Sequence, residues 1–239
     1  MGKPTLLLLP GLMCDRALWE AQIDALSANA ECVVPDYGAL DSLGDMAQAV
    51  LHGAPTRFAL AAHSMGGRVA LEMMRIAGPR VARLALLDTG WRARSPGEVG
   101  VAEERQRRRL VDLAYSSGMH TMGREWLRGM LHPEHLRDEG RVQAILTMIE
   151  RMTPETHEAQ IRALLNRPEA GDVLPTIECP TLVLCGRQDN WSPVARHEEL
   201  ARLISGSNLE IIEDSGHMTP MEQPARVSAA LLDWLQRTV

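Results

Sequence analysis

Lysine is almost absent from the 239 residues, with Lys3 the only one. Chemistry that runs through a lysine, whether a Schiff base with a carbonyl substrate or the phosphate-gripping lysine of a P-loop, is thereby excluded in practice. Cysteine is scarce too. Cys14, Cys32, Cys179 and Cys185 show none of the paired spacings that hold zinc or form a redox dithiol, and are expected as reduced, buried thiols of a cytoplasmic protein. Long apolar runs are missing: the four leucines after Thr5 end at Pro10-Gly11, short of a secretory core or a membrane span, and read as a buried strand. Leu6 stands where a myristoylation signal requires Ser or Thr. Nor is there an excess of positive charge; at a net charge of -6 nothing electrostatic calls for nucleic acid or an anionic membrane. No repeat or low-complexity segment interrupts a chain long enough for one large α/β domain or a core with an inserted segment.

The informative stretch is 57–76. Arg57-Phe58-Ala59-Leu60-Ala61 has the length and apolarity of a strand, and Arg68 to Ile76 carries apolar residues at helical spacing. Ala62-His63-Ser64-Met65-Gly66-Gly67 lies on the turn between them. A sharp strand-to-helix turn needs small flanking residues, here Ala62 and Gly66, and it pushes the Ser64 hydroxyl out at the carboxyl end of the strand, above the positive end of the next helix. The pentapeptide Ala62 to Gly66 resembles the G-x-S-x-G nucleophile elbow of the α/β-hydrolase family, with Ala for the first Gly. The same serine on other grounds is a helix cap.

A serine hydroxyl needs a base, and the base needs an acid to hold its tautomer. The resemblance implies the chain order Ser, Asp or Glu, His. Pro180 to Gly186 reads as a buried strand followed by Asp189, with Ser192-Pro193 as the start of a helix. Asn208 to Glu213 reads as another strand, and His217 lies in the loop after it. Ser64, Asp189 and His217 thus all fall just past strand ends, which makes them the candidate nucleophile, acid and base. Asp88, at the end of the strand Ala82–Leu87, is the alternative acid; its other reading is a turn cap with Thr89 and Gly90. For an oxyanion hole, the amide of Met65 supplies one donor, and the resemblance puts the second in the loop after the first strand. That loop reads Pro10-Gly11-Leu12-Met13 where many members have His-Gly-x; the second donor is assigned to Leu12, with Met13 the other possibility. His63 is expected to pack against or orient the turn.

The first strand, Thr5 to Leu9, begins so early that the sheet is expected to be trimmed: a mostly parallel sheet of about six strands flanked by helices, of the α/β-hydrolase fold. Asp15 is expected to cap a helix running to about Asn29, Glu31–Pro35 to form an edge strand, and 42–52 a helix. From about Trp91 to Asp172 the strand signal stops. Residues 91–172 are read as a helical cap inserted into a core made of 1–90 and 173–239, with helices near 97–115, 120–131, 134–151 and 154–166. Met119, Met122, Met130, Met148 and Met152 are candidates to line an acyl pocket or to be core. Arg105, Arg107, Arg108 and Arg109 form a charge run, read as a solvated helix face rather than a docking site for an anion. His132 and His135 have a possible ligand spacing but no third partner. The chain closes with an amphipathic helix, 224–237.

The resemblance implies a cofactor-free serine hydrolase, a carboxylesterase acting on a small-molecule ester or thioester, monomeric or homodimeric, with no metal. Carbon–carbon bond hydrolysis and cofactor-free haloperoxidase or perhydrolase chemistry use the same residues. A non-catalytic ligand-binding member of the fold is the rival of another class. The loop Asp36 to Ser42 lacks the longer Asp-x-Arg-Gly-x-Gly segment of some relatives, which weakens an enol-lactonase assignment.

Overall fold

The computed structural model describes residues 2–237. Six strands form one parallel sheet: β1 (Thr5–Leu9), β2 (Glu31–Val33), β3 (Phe58–His63), β4 (Val81–Leu87), β5 (Thr181–Gly186) and β6 (Asn208–Ile212), in the spatial order β2-β1-β3-β4-β5-β6. Every neighbouring pair is parallel, and the register sets Leu9 beside Ala62, His63 beside Leu87, Leu87 beside Leu184 and Gly186 beside Ile212. All residues of β3 and β5 are buried, because a central parallel strand is covered on both faces and is therefore written as an unbroken apolar run. β2, next to the edge-favouring Pro35, is partly exposed.

Helices return the chain between strands: α1 (Glu20–Leu26), α2 (Leu43–Gly53), α3 (Met65–Ala77), α4 (Gly97–Leu127), α5 (Glu139–Glu150), α6 (Pro154–Leu165), α7 (Val194–Leu203), the short α8 (Thr219–Glu222) and α9 (Pro224–Gln236). α1 packs on α9 and α2 on α3, while α7 and α9 lie against β5 and β6. Val227, Leu231 and Trp234 carry the buried face of α9. Since all strands run the same way, every strand-to-helix loop that matters leaves the same edge of the sheet, where ligands of open α/β sheets bind.

Local chemistry shifts several boundaries. Asp15 caps a 3-10 turn, Arg16–Trp19, rather than an α-helix, its carboxylate accepting from the Ala17 amide; α1 starts only at Glu20 and ends at Leu26. The helix expected over 42–52 is α2, with Ser42 as its cap, the hydroxyl accepting from the Asp45 amide. Ser192 does not cap α7: Pro193 occupies that position, and the Ser192 hydroxyl donates to the Thr89 carbonyl instead. Between β4 and β5 stand α4, α5 and α6. Gly118, at φ 81°, breaks α4 at the point where two separate helices were expected. No single helix covers 134–151. Residues His135–Arg137 form a 3-10 turn, and Asp138 accepts from the Arg141 amide to begin α5 anew. The second stretch of α4 stops at Leu127, short of Leu131.

Candidate functional site

Ser64 sits at the turn from β3 to α3 with φ 52° and ψ -113°, a conformation that only a tightly held non-glycine residue keeps. Gly66 shows what holds it. A Cβ there would stand 2.6 Å from the carbonyl oxygens of both Leu9 and Pro10, so α3 can start this close to β1 only with glycine at that position. The Thr89 hydroxyl donates to the Ser64 carbonyl and fixes the turn from the β4 side.

His217 Nε2 lies 2.8 Å from Ser64 Oγ, and His217 Nδ1 lies 2.7 Å from Asp189 Oδ2. The other carboxylate oxygen, Asp189 Oδ1, accepts from the amides of Trp191 and Ser192, both at 2.8 Å. Burial pushes the Asp189 pKa up, but the charge and hydrogen bond of His217 together with the Ser192 amide outweigh it and hold the carboxyl below its ordinary value. Asp189 therefore stays ionised. A hydroxyl, an imidazole and a carboxylate in this order form a path along which the hydroxyl proton can move to Nε2.

The His217 loop is held from several sides. Its amide donates to the Met130 carbonyl, and a Cβ on Gly216 would meet Met130 O at 2.5 Å and His132 N at 2.7 Å. Glu222, almost wholly buried, accepts from the amides of Gly216 and Met218 through one oxygen, and from the His132 amide and His135 Nδ1 through the other. His132 and His135 are thus tied into loop support. Among the described residues no group of three His, Cys, Asp or Glu side chains is arranged to hold a metal.

Asp88 does not reach His217. It is buried beneath the site, where it accepts from the Gly186 amide and is hydrogen-bonded to the Thr219 hydroxyl at 2.5 Å. Burial, and then the negative charge of Asp189, push its pKa well above the carboxylate range. Its role as a cap of Thr89 and Gly90 is replaced by one of joining the β4, β5 and His217 loops. His63 Nε2 donates to the His217 carbonyl at 2.7 Å; burial, reinforced by His217, lowers its pKa to about 3, so it is neutral and orients the loop. In the loop after β1, the Met13 amide is already given to Gln160 Oε1 of α6 at 2.9 Å, whereas the Leu12 amide has no hydrogen bond to another described residue. Met65, opening α3, has an amide without an intrahelical partner. Leu12 and Met65 both line the cavity described next.

That cavity, of about 950 Å³, opens on Ser64 and His217 and is bounded by residues of α4, α6 and α7. Of the five candidate methionines only Met130 lines it. Met119, Met122 and Met148 are buried in the apolar core and Met152 is packed against it. The charge run divides as well. Arg105, Arg108 and Arg109 are exposed, but Arg107 points inward and is buried, its guanidinium 4.9 Å from the centre of the Trp191 ring and its Nε 2.9 Å from Glu103. Arg107 and the exposed Arg109 both line the cavity, only Arg107 is buried, and the composition of the run gives no sign of which.

The alpha/beta hydrolase family model matches residues 6–230. The chain belongs to this family. Among solved structures, an esterase from Thermogutta terrifontis determined with malate bound is 32% identical, covering 99% of this chain and 90% of that one at a TM-score of 0.87. The enol-lactonase from Burkholderia xenovorans LB400 is 21% identical over 99% of this chain and 93% of that one, with a TM-score of 0.83, a likeness of fold. Among curated relatives, the pimeloyl-[acyl-carrier protein] methyl ester esterase of Vibrio atlanticus is 24% identical over 98% of this chain and 95% of its own length. No described helix of this hydrolase is long and apolar enough to cross a membrane, and its four cysteines are free.

Sequence reading missed Gln160, Glu222, Arg68 and Arg196. Arg68 alone had a signal, since a residue four after Ser64 on a helix shares its face. Glu222 follows His217 by five residues and holds its loop locally as well as through His132, while Gln160 and Arg196 reach the site through tertiary packing.

Proposed function

We propose that this hydrolase cleaves carboxylic esters through an acyl-enzyme intermediate on Ser64. The observation that carries the reading is the hydrogen-bonded chain from Ser64 through His217 to Asp189 at the mouth of the cavity. His217 Nε2 takes the Ser64 proton as Oγ attacks the ester carbonyl carbon. The carbonyl oxygen becomes negative and is held by the amides of Leu12 and Met65, while Asp189 stabilises the imidazolium. When the tetrahedral intermediate collapses, the bond to the alcohol oxygen breaks and His217 returns the proton to that oxygen. Water then repeats the sequence: His217 removes its proton, hydroxide adds to the acyl carbon, and the acid leaves as Ser64 recovers its hydrogen. None of these steps uses a cofactor.

We read the segment 91–172 as a cap whose helices α4 and α6 close the cavity over the strand ends and limit the entry of water. The esterase relatives agree with ester chemistry, and a thioester would pass through the same steps.

Hydrolysis of p-nitrophenyl butyrate by the wild type, with turnover in Ser64→Ala reduced to the residue left by the oxyanion donors and binding, is the expected result. Full activity in purified Ser64→Ala refutes the assignment. A fluorophosphonate probe separates enzyme from ligand-binding protein: the enzyme is labelled at Ser64, a binder is not.

A further inference from the structure

The cavity beside Ser64 is strongly basic although the chain as a whole is acidic. Arginines outnumber carboxylates in its lining. Glu199 and Glu125 line it already paired with Arg92 and Arg109, and buried Asp88 is held toward its neutral form, while Arg68, Arg107, Arg167 and Arg196 lie around Glu103. Glu103 is already taken. Arg107 Nε holds one oxygen at 2.9 Å, and Arg167 grips both oxygens at 2.7 and 2.8 Å. Arg68 and Arg196 are left with backbone partners among the described residues: Arg68 donates to the Arg92 carbonyl at 2.9 Å, and Arg196 to the Trp191 carbonyl at 3.4 Å. They come together over Gly90, where the position of an added Cβ is 3.3 Å from Arg68 Nη2 and 3.7 Å from Arg196 Nη1.

Neither Arg68 nor Arg196 makes an ion pair among the described residues; the charge of Glu103 acts on both and that of Asp189 on Arg196 without direct contact, and a ligand anion would supply the hydrogen-bonded partner that both lack. Burial, followed by the charges of Arg167, Arg196 and Arg107, lowers the Arg68 pKa to about 9, which leaves it ionised at neutral pH. The cavity wall holds a second unmatched polar group. His157 of α6 is fully buried, neither of its ring nitrogens has a partner among the described residues, and burial with the nearby Arg107 lowers its pKa to about 4. A neutral imidazole and two unpaired guanidiniums suit a polar, anionic ligand and not a simple hydrocarbon chain.

We propose that Arg68 and Arg196 form a carboxylate-binding subsite, so that the preferred substrate is the hemiester of a dicarboxylic acid, with the free carboxylate on these two arginines and the ester carbonyl at Ser64. Arg68 stands one helical turn after Ser64 on α3 and therefore shares its face. The acyl part is the piece that remains on Ser64 Oγ through both halves of the reaction, so an anchor on the acyl side assists acylation and deacylation alike. This inference rests on the ester-hydrolase reading above.

The test compares kcat/KM for monomethyl and dimethyl esters of the same diacid, across succinate, glutarate and adipate. Wild type is expected to favour the monomethyl ester by about tenfold or more for at least one spacer. Arg68→Gln and Arg196→Gln are each expected to lower the hemiester-to-diester ratio by about tenfold to a hundredfold, the range for a charge-assisted hydrogen bond, chiefly through KM. A second measurement needs no variant: the free diacid should inhibit p-nitrophenyl butyrate hydrolysis by the wild type at a concentration at least about tenfold below that of its neutral diamide. Turnover of both esters without preference for the hemiester overturns the proposal, as does a ratio that both variants leave unchanged or equal inhibition by diacid and diamide. Failure of the parent reading looks different, with no ester turned over and Ser64 unlabelled, and takes this inference with it.

Discussion

Replacing Asp189 by Asn tests the site through a single proton. Asp189 Oδ1 accepts two amides, those of Trp191 and Ser192, each at 2.8 Å. In Asp189→Asn the side-chain oxygen has to remain on those two donors, because the opposite orientation would point an NH2 group at two N–H groups. The amide nitrogen must then take the place of Oδ2, 2.7 Å from His217 Nδ1. An NH2 there donates to Nδ1, which drives the imidazole proton to Nε2, and an Nε2–H cannot accept the proton of Ser64. The wrong tautomer should cost roughly ten-thousandfold in kcat for p-nitrophenyl butyrate, with the fold intact. Asp88→Asn is the control. Asp88 is buried, held toward its neutral form, and 3.5 Å from His63 rather than beside His217. A neutral amide replaces a neutral acid, and kcat should change by less than about threefold. A larger loss from Asp88→Asn than from Asp189→Asn would refute the reasoning.

Gly66→Ala drives a methyl group against the Leu9 and Pro10 carbonyl oxygens, 2.6 Å away, and should lower stability by about 1–3 kcal/mol while displacing the Ser64 turn, read as a lower melting temperature together with a lower kcat. Gln160→Leu leaves the Met13 amide without its partner and loosens the loop that carries Leu12; kcat should fall about tenfold with KM little changed, and an equal effect on KM alone would assign Gln160 to substrate binding instead. Acid should destabilise the protein before the carboxylates titrate. Burial holds His63 at about 3 and His157 and His197 at about 4, against an ordinary value of 6.5. The unfolded chain therefore binds protons that the folded chain refuses; this stability is whole above pH 6.5 and is lost as pH falls toward the folded values, by about 2 kcal/mol per histidine between pH 7 and 5. Urea unfolding midpoints at the two pH values measure it, and coincident midpoints would contradict it.

The fold was legible because each of its signals is local. A parallel strand buried on both faces must be apolar throughout, as 58–63 and 181–186 are. A sharp strand-to-helix turn must have small neighbours, and Gly66 supplies one. Ser64, Asp189 and His217 could be picked out because each follows a strand, the first two a buried one and the third the edge strand β6, and parallel pairing carries all three strand ends to one edge. What the sequence left open was every choice between residues with the same local credentials. Asp88 and Asp189 both follow strands, and only packing shows that Asp88 is turned beneath the sheet edge toward Thr219 while Asp189 faces the imidazole. Arg107 looks like its neighbours 105, 108 and 109, yet in the packed structure, where α4 lies on α6, it is the one buried, over Trp191. Gln160 carries no pattern of its own, since what matters about it is the amide it meets 147 residues away at Met13, and Glu222 joins the nearby amides of Gly216 and Met218 to that of His132, 90 residues away. Sequence on its own determined the strands, the turns and the short list of reactive groups, because these follow from neighbours along the chain. Which of those groups touch, which charges go unpaired and what the cavity will accept depend on distances between remote segments, and only the folded arrangement decides them.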